Sequence, residues 1–184
     1  MALELPRHKF THDEYQQMGV SGIFTEDDRV ELLDGDIVEM SPIGPRHAYN
    51  VGRLNMLLAP LLVGRAIVHV QNPLQLDVHW EPQPDVSILR LRDGYESELP
   101  TGADVLLLIE VVDSSRAYDR AKLPAYARSG IPEVWFLDLQ GQVLLSHREP
   151  VGAEYRQLQP FRSGDSITPV SLPEHTFSID SILG

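Results

Sequence analysis

Val105-Leu-Leu-Leu-Ile-Glu-Val-Val112 is the most apolar run in the chain, bounded by Asp104 and Asp113. Its length and composition suit a central strand buried on both faces of a sheet. Residues 114–129 then read as a helix, with Leu123, Tyr126 and Ala127 on one side and Gly130 as the stop. Pro124 fits such a helix only if the first turn opens around Asp119 to Lys122. Glu133-Val-Trp-Phe-Leu-Asp138 is a further apolar strand. Alternation of strand and helix around one apolar run predicts a mixed α/β fold, with a sheet flanked by helices.

Upstream, Thr11 to Met18 reads as a short helix capped by Thr11, with Glu14 three residues on completing a capping box. Asp34-Gly35 sits between two β-rich runs inside Arg29 to Met40, the signature of a two-residue hairpin. Val51, Leu54, Leu58, Leu61 and Leu62 fall at helical spacing, so a helix opens near Arg46 or His47, and Pro60 should end or kink it. Ala66 to Gln71, Leu74 to His79 and Asp85 to Leu91 read as strands, and residues 92–103 as a polar loop. Val143 to Arg148 and Tyr155 to Leu158 form a C-terminal meander, closed by His175 to Leu183. No linker divides the chain, so residues 1–184 are expected to form one domain.

Composition narrows the chemistry. The chain has 184 residues, no cysteine, and 27 acidic against 15 basic residues, for a net charge of −12. Thiol nucleophiles and Cys-type zinc sites are excluded. A constitutive, non-specific nucleic-acid coat is disfavoured, because phosphate binding depends on cations. Met1 to Phe10 lacks the apolar segment of a secretion signal, and no run suffices for a membrane span, so a cytoplasmic protein is the default. The only lysines are Lys9 and Lys122; every other basic residue is arginine.

Glu110 interrupts the apolar strand. A carboxylate in that setting must neutralise, pair or bind a cation. One reading places it at the strand's end beside an arginine; the other makes it a metal ligand at the carboxyl end of a central strand. Pro84-Asp85 opens the preceding strand and offers a second acid. Two such carboxylates 4–5 Å apart repel by roughly 3–4 kcal/mol at an effective dielectric of ~20, and a cation reverses that sign. Mg²⁺ takes one or two carboxylates plus waters and phosphate oxygens. Lys122, twelve residues after Glu110, can return over the acids to support developing charge or an attacking water. Asp119 either orients that lysine or caps the helix.

These residues resemble, in order, the Uma family of restriction-endonuclease-like proteins, a branch of the PD-(D/E)XK nuclease superfamily. The matching pieces are Glu31-Leu-Leu-Asp-Gly-Asp-Ile-Val-Glu-Met-Ser-Pro42, then His47, Gln83-Pro-Asp85-Val, Leu108-Ile-Glu110-Val-Val, and Tyr118 through Lys122, Tyr126 and Gly130 to Asp138. The ordered set carries the likeness, which spans residues 10 to about 183.

The resemblance implies a restriction-endonuclease-like core with a curved mixed sheet, and divalent-metal-dependent hydrolysis of phosphodiester bonds in DNA. Asp85 and Glu110 would hold Mg²⁺ or Mn²⁺, with the Val111 carbonyl as an extra ligand. The usual lysine two residues past the acid is replaced here by Val112, and Lys122 on the next helix takes its place. Glu31 matches a family acid and is either a third carboxylate or a solvent-facing hairpin residue. His47 matches too, at the metal shell or the phosphate. Arg46, Arg53, Arg116 and Arg120 are candidates for phosphate contacts. Cutting both strands favours a homodimer. Two other classes stay open: a nuclease-like binding or regulatory module without turnover, and a hydrolase of a small phosphorylated substrate.

Overall fold

From Leu107 to Val112 the apolar side chains of the run alternate between two hydrophobic layers, and the sheet is built around it. The structure, a computed structural model, describes residues 6–25, 27–113 and 116–184, apart from the side chain of Arg116. The expected helix start at Ser114 and part of the Met1–Phe10 reading lie outside these residues.

The run forms β5 (Val105–Val112) in a six-stranded mixed sheet. Spatial order is β3 (Ala66–Val70), β4 (Val86–Arg90), β5, β6 (Glu133–Asp138), β7 (Val143–Val151) and β8 (Glu154–Phe161). Only β5 and β6 run parallel, joined by α3 (Arg116–Arg128); every other neighbouring pair is antiparallel. The expected C-terminal meander is therefore continuous with the central sheet.

On one face Leu107, Ile109 and Val111 pack with Val51, Leu54, Leu58 and Leu62 of α2 (Pro45–Leu62), and with Ile179 and Ile182 of α4 (Ile179–Leu183). On the other, Leu108 and Val112 pack with Tyr126 of α3, Val134 and Phe136. Each fully buried aliphatic side chain contributes about 1.5–3 kcal/mol relative to exposure, which fixes the strand in the centre.

The N-terminal elements are those the sequence predicts. Thr11 caps α1 (His12–Val20), with both halves of the capping box formed. Asp34 and Gly35 turn the hairpin of β1 (Val30–Leu33) and β2 (Asp36–Glu39) with φ of 51° and 73°. A short 3-10 turn, Gly102–Asp104, leads into β5, and the two-residue strands β9 (Ser166–Ile167) and β10 (Phe177–Ser178) pair before α4.

Three expectations need correction. Leu74 to His79 is not a strand. Leu76 donates to the Trp80 carbonyl, and Asp77 accepts from the His79 N–H at 2.7 Å, so local turn bonds replace a ladder. Pro60 does not end α2, which runs on to Leu62. The carbonyl it frees belongs to solvent-exposed Met56, where water can serve it, while Leu58 and Leu62 remain buried. Pro124 likewise lies inside α3 rather than in its first turn. The carbonyl it displaces is that of exposed Arg120, and buried Ala125, Tyr126 and Ala127 hold the helix to the sheet.

Candidate active site

The register pairing Val86 with Ile109 sets Asp85, just before β4, opposite Glu110. The Asp85 N–H donates to Glu110 Oε2 at 3.3 Å, and the Val111 N–H donates to Asp85 Oδ2 at 2.8 Å. Glu110 is thus fixed by the Asp85 backbone, and Asp85 by that of Val111, the residue after Glu110. His47, in the first turn of α2, places Nε2 3.0 Å from Asp85 Oδ2. Gln71, just past β3 at a φ of 49°, donates to Asp85 Oδ1 at 3.3 Å.

The other half of the site is buried. Glu31 on β1, Glu110 and Lys122 are 0%, 2% and 2% exposed. The Lys122 ammonium lies 3.0 Å from Glu31 Oε1 and 3.7 Å from Glu110 Oε1. The Tyr126 hydroxyl donates to Glu110 Oε1 at 2.5 Å. The Tyr118 hydroxyl donates to Glu31 Oε1, and the Gln83 N–H to Glu31 Oε2 at 2.8 Å. The Lys122 ammonium also sits 4.8 Å from the centre of the Tyr118 ring. Glu31 is therefore not a solvent-facing hairpin residue, and among the described residues the cation beside Glu110 is Lys122 rather than an arginine.

Burial is the largest influence on Glu110 and pushes its carboxyl up to about 8, with Asp85 and Asp119 acting the same way against Lys122 and Tyr126. For Lys122, burial works against the charge, but the Glu110 and Glu31 carboxylates outweigh it and hold the ammonium above its usual range. The hydrogen bond to Asp85 raises His47, against partial burial. The His47 Nδ1 atom is buried without a hydrogen-bond partner.

Asp85, Val111, Asp119, Lys122 and His47 line a recess of about 200 Å³, roofed by the Met40–Gly44 segment and flanked by Arg29 and Tyr118. Asp119 lies in the first turn of α3, buried against this recess. Of the candidate arginines, Arg46 reaches the edge of the recess through Asp113. Arg46 donates to the Leu139 carbonyl at 2.5 Å and approaches Asp113 at 3.4 Å. Arg53 donates to the Ser181 carbonyl at 3.1 Å, and Arg120 is exposed on α3 with its charge near His147. The Arg116 side chain lies outside the described residues.

Tyr118, Tyr126, Gln71 and the Gln83 backbone were not singled out by the sequence reading for the site. Tyr118, Lys122 and Tyr126 recur every four residues, so one helix face carries the lysine between two hydroxyls. That spacing was the available signal.

Among the described residues, no group of three or more His, Asp or Glu side chains converges into a ready-made metal cage. The donor set nonetheless suits a hard cation that keeps several waters. Asp85 Oδ1 and Glu110 Oε2 each accept one hydrogen bond, at 3.3 Å, which leaves a lone pair on each.

A mixed sheet flanked by helices, with an acid before one strand and another on its neighbour, defines a restriction-endonuclease-like architecture. The chain matches the Uma2 family, described as "Putative restriction endonuclease", over residues 12–180, and it belongs to that family. No curated protein matches it. Among solved structures it is similar to one from Anabaena variabilis ATCC 29413, described as a "putative nuclease belonging to DUF820". The two share 14% identity and a TM-score of 0.76, over 95% of this chain and 97% of the other. At that identity the likeness speaks for the fold.

Proposed function

We propose that the chain is a Mg²⁺- or Mn²⁺-dependent phosphodiesterase acting on DNA, with its centre at Asp85, Glu110 and Lys122. One observation carries this reading: Asp85 and a buried ammonium, Lys122, line one recess, and directly behind them Glu110 accepts the Asp85 N–H and lies 3.7 Å from that ammonium. Membership of the Uma2 family supports it.

In this reading Asp85 and Glu110 hold the cation, with the Val111 carbonyl alongside. When bound, the ion supplies Lewis-acid polarisation of the phosphate and a water of lowered pKa. The chain's own residues do the rest. Lys122 keeps positive charge beside Glu110 and offers it to the charge developing on phosphate. Glu31, Tyr118 and Tyr126 act as positioning residues: Glu31 pairs with Lys122, Tyr118 donates to Glu31, and Tyr126 donates to Glu110. His47 orients the Asp85 carboxylate through Oδ2. Cutting both strands of a duplex takes two such centres, which a homodimer supplies.

Calorimetry with Mg²⁺ and Mn²⁺ on the wild type, Asp85→Ala and Glu110→Ala, followed by cleavage of plasmid and single-stranded DNA, tests the reading. The expected result is metal binding and cleavage in the wild type, both lost in the two variants. A folded wild type that binds neither metal overturns it. That outcome favours a binding module without turnover, for which the Lys122 pairing with Glu31 and Glu110 is the supporting observation.

A further inference from the structure

The recess is small and sunken. It encloses about 200 Å³, below the usual 300–1,000 Å³ of pockets that swallow a whole drug-sized ligand. That is room for a phosphodiester and its immediate surroundings, not for a base pair. The acids lie beneath the surface: Glu110 is 2% exposed and the Asp85 side chain 13%. A duplex carries each phosphate on a stiff backbone ridge, and bending it to lower one phosphate costs several kcal/mol over a short site. An unpaired strand bends at single bonds and meets no such resistance.

Charge points the same way. Duplex binders neutralise several phosphates with Lys and Arg. Among the described side chains lining this recess, Asp85, Asp113 and Asp119 stand against two cations, Arg29 and Lys122; Lys122 is already engaged by Glu31 and Glu110, and Arg46, which reaches Asp113 at 3.4 Å, is spent on that acid. Arg46 and Arg53 donate to backbone carbonyls. No row of cations tracks a backbone away from the site among the described cleft-lining side chains.

The roof supplies a different contact. Met40, Pro42 and Ile43 give the recess that holds Asp85 an apolar lip, and Ile43 is 40% exposed. Bases freed from the duplex stack on aromatic and apolar side chains, a contact that paired bases cannot make. Base contact at the lip would offset the shortage of phosphate contacts.

We infer that the substrate of this site is an unpaired DNA strand, its phosphate lowered into the recess and its adjacent base against the Met40–Pro42–Ile43 lip. The inference rests on the phosphodiesterase reading above. It also removes the need for two centres, since one strand is cut by one site.

The full chain, with Mn²⁺, is given one labelled oligonucleotide as a single strand, as a blunt duplex with its complement, and as a duplex bearing an unpaired flap. The single strand is expected to be cut at least about tenfold faster than the duplex, and the third substrate within its flap. The Asp85→Ala control reports the underlying activity: cleavage of any substrate that this variant loses supports the phosphodiesterase reading by itself. Duplex cut as fast as single strand, with cleavage lost in the control, overturns the inference and leaves that reading standing. No cleavage of any substrate overturns both. A Met40→Ser, Ile43→Ser variant keeps Mn²⁺ binding by calorimetry and loses several-fold in single-strand cleavage; an unchanged rate overturns the role of the lip.

Discussion

Lys122 and Glu31 form an ion pair of 3.0 Å in which both side chains are withdrawn from water, and it ties the long helix of the crossover to the N-terminal hairpin. The same ammonium lies farther, at 3.7 Å, from Glu110. Its nearest carboxylate thus comes from outside the central sheet.

Removing the cation leaves two buried acids facing each other. Lys122→Met is expected to lose about 3–5 kcal/mol of stability by urea denaturation, since breaking a buried pair strands its partner. In the double variant Glu31→Gln, Lys122→Met, the loss is expected to be well short of the sum of the two single losses. Additive losses would show that the pair is not coupled.

Tyr126→Phe keeps the ring in the core and removes one hydroxyl. Glu110 Oε1 then loses its 2.5 Å donor, and the carboxylate becomes harder to keep charged. The expected result is a loss of about 1–3 kcal/mol in stability, the usual cost of stranding a buried hydrogen-bonding group. Calorimetry should also show weaker Mn²⁺ binding near neutral pH that recovers as pH rises. Wild-type affinity at every pH would refute the positioning role.

Glu133 is a second buried acid, with a structural task. It is fully buried and accepts from Trp135 Nε1 at 2.5 Å, Ser146 Oγ at 2.8 Å, Arg148 at 2.8 Å and the Val170 N–H at 2.7 Å. Glu133→Ala leaves an indole and a guanidinium without their acceptor and should cost about 3–5 kcal/mol in urea denaturation. A loss under 1 kcal/mol would contradict this accounting.

His147 gives the fold an acid sensitivity of its own. Burial, with a smaller push from Arg120, lowers its pKa from 6.5 to about 4. Its ring sits 5.2 Å from Phe136 and 6.0 Å from Tyr155, centre to centre. A lowered folded pKa means that the unfolded chain takes up the proton first. The contribution is therefore whole above pH 6.5 and is lost as pH falls toward 4. Half-burial discounts it to about 1–2 kcal/mol. His147→Phe should flatten the stability profile across that window; an identical slope in both proteins would rule the histidine out.

The parts of the fold legible in sequence are those that local chemistry dictates. Asp34-Gly35 announces a turn because both positions need positive φ, and Thr11 with Glu14 announces a helix start because each satisfies the other's backbone. Val105 to Val112 announces a central strand because only burial on both faces accommodates it. Leu74 to His79 misled because alternation alone does not reveal that Asp77 will bond locally to the His79 N–H. Asp85, Glu110 and Lys122 could be singled out, each being a charged or strand-opening residue out of step with its surroundings. Their convergence could be expected from the helix return and the family resemblance, but its geometry could not be read, because it depends on the β4–β5 register and the path of α3. Tyr126 hid among core residues, since its ring does pack there while its hydroxyl reaches Glu110.

The contribution of the hairpin sets an order of assembly. On a ribosome, a nascent chain that has emerged only as far as β5 holds Glu31, Asp85 and Glu110 with no lysine among them. Those three acids gain their ammonium only when α3 follows. The centre is thereby completed only once α3 has emerged, after both sequence-distant carboxylates are waiting, and a truncated translation product ending before Lys122 would carry the acids without the charge that draws them together.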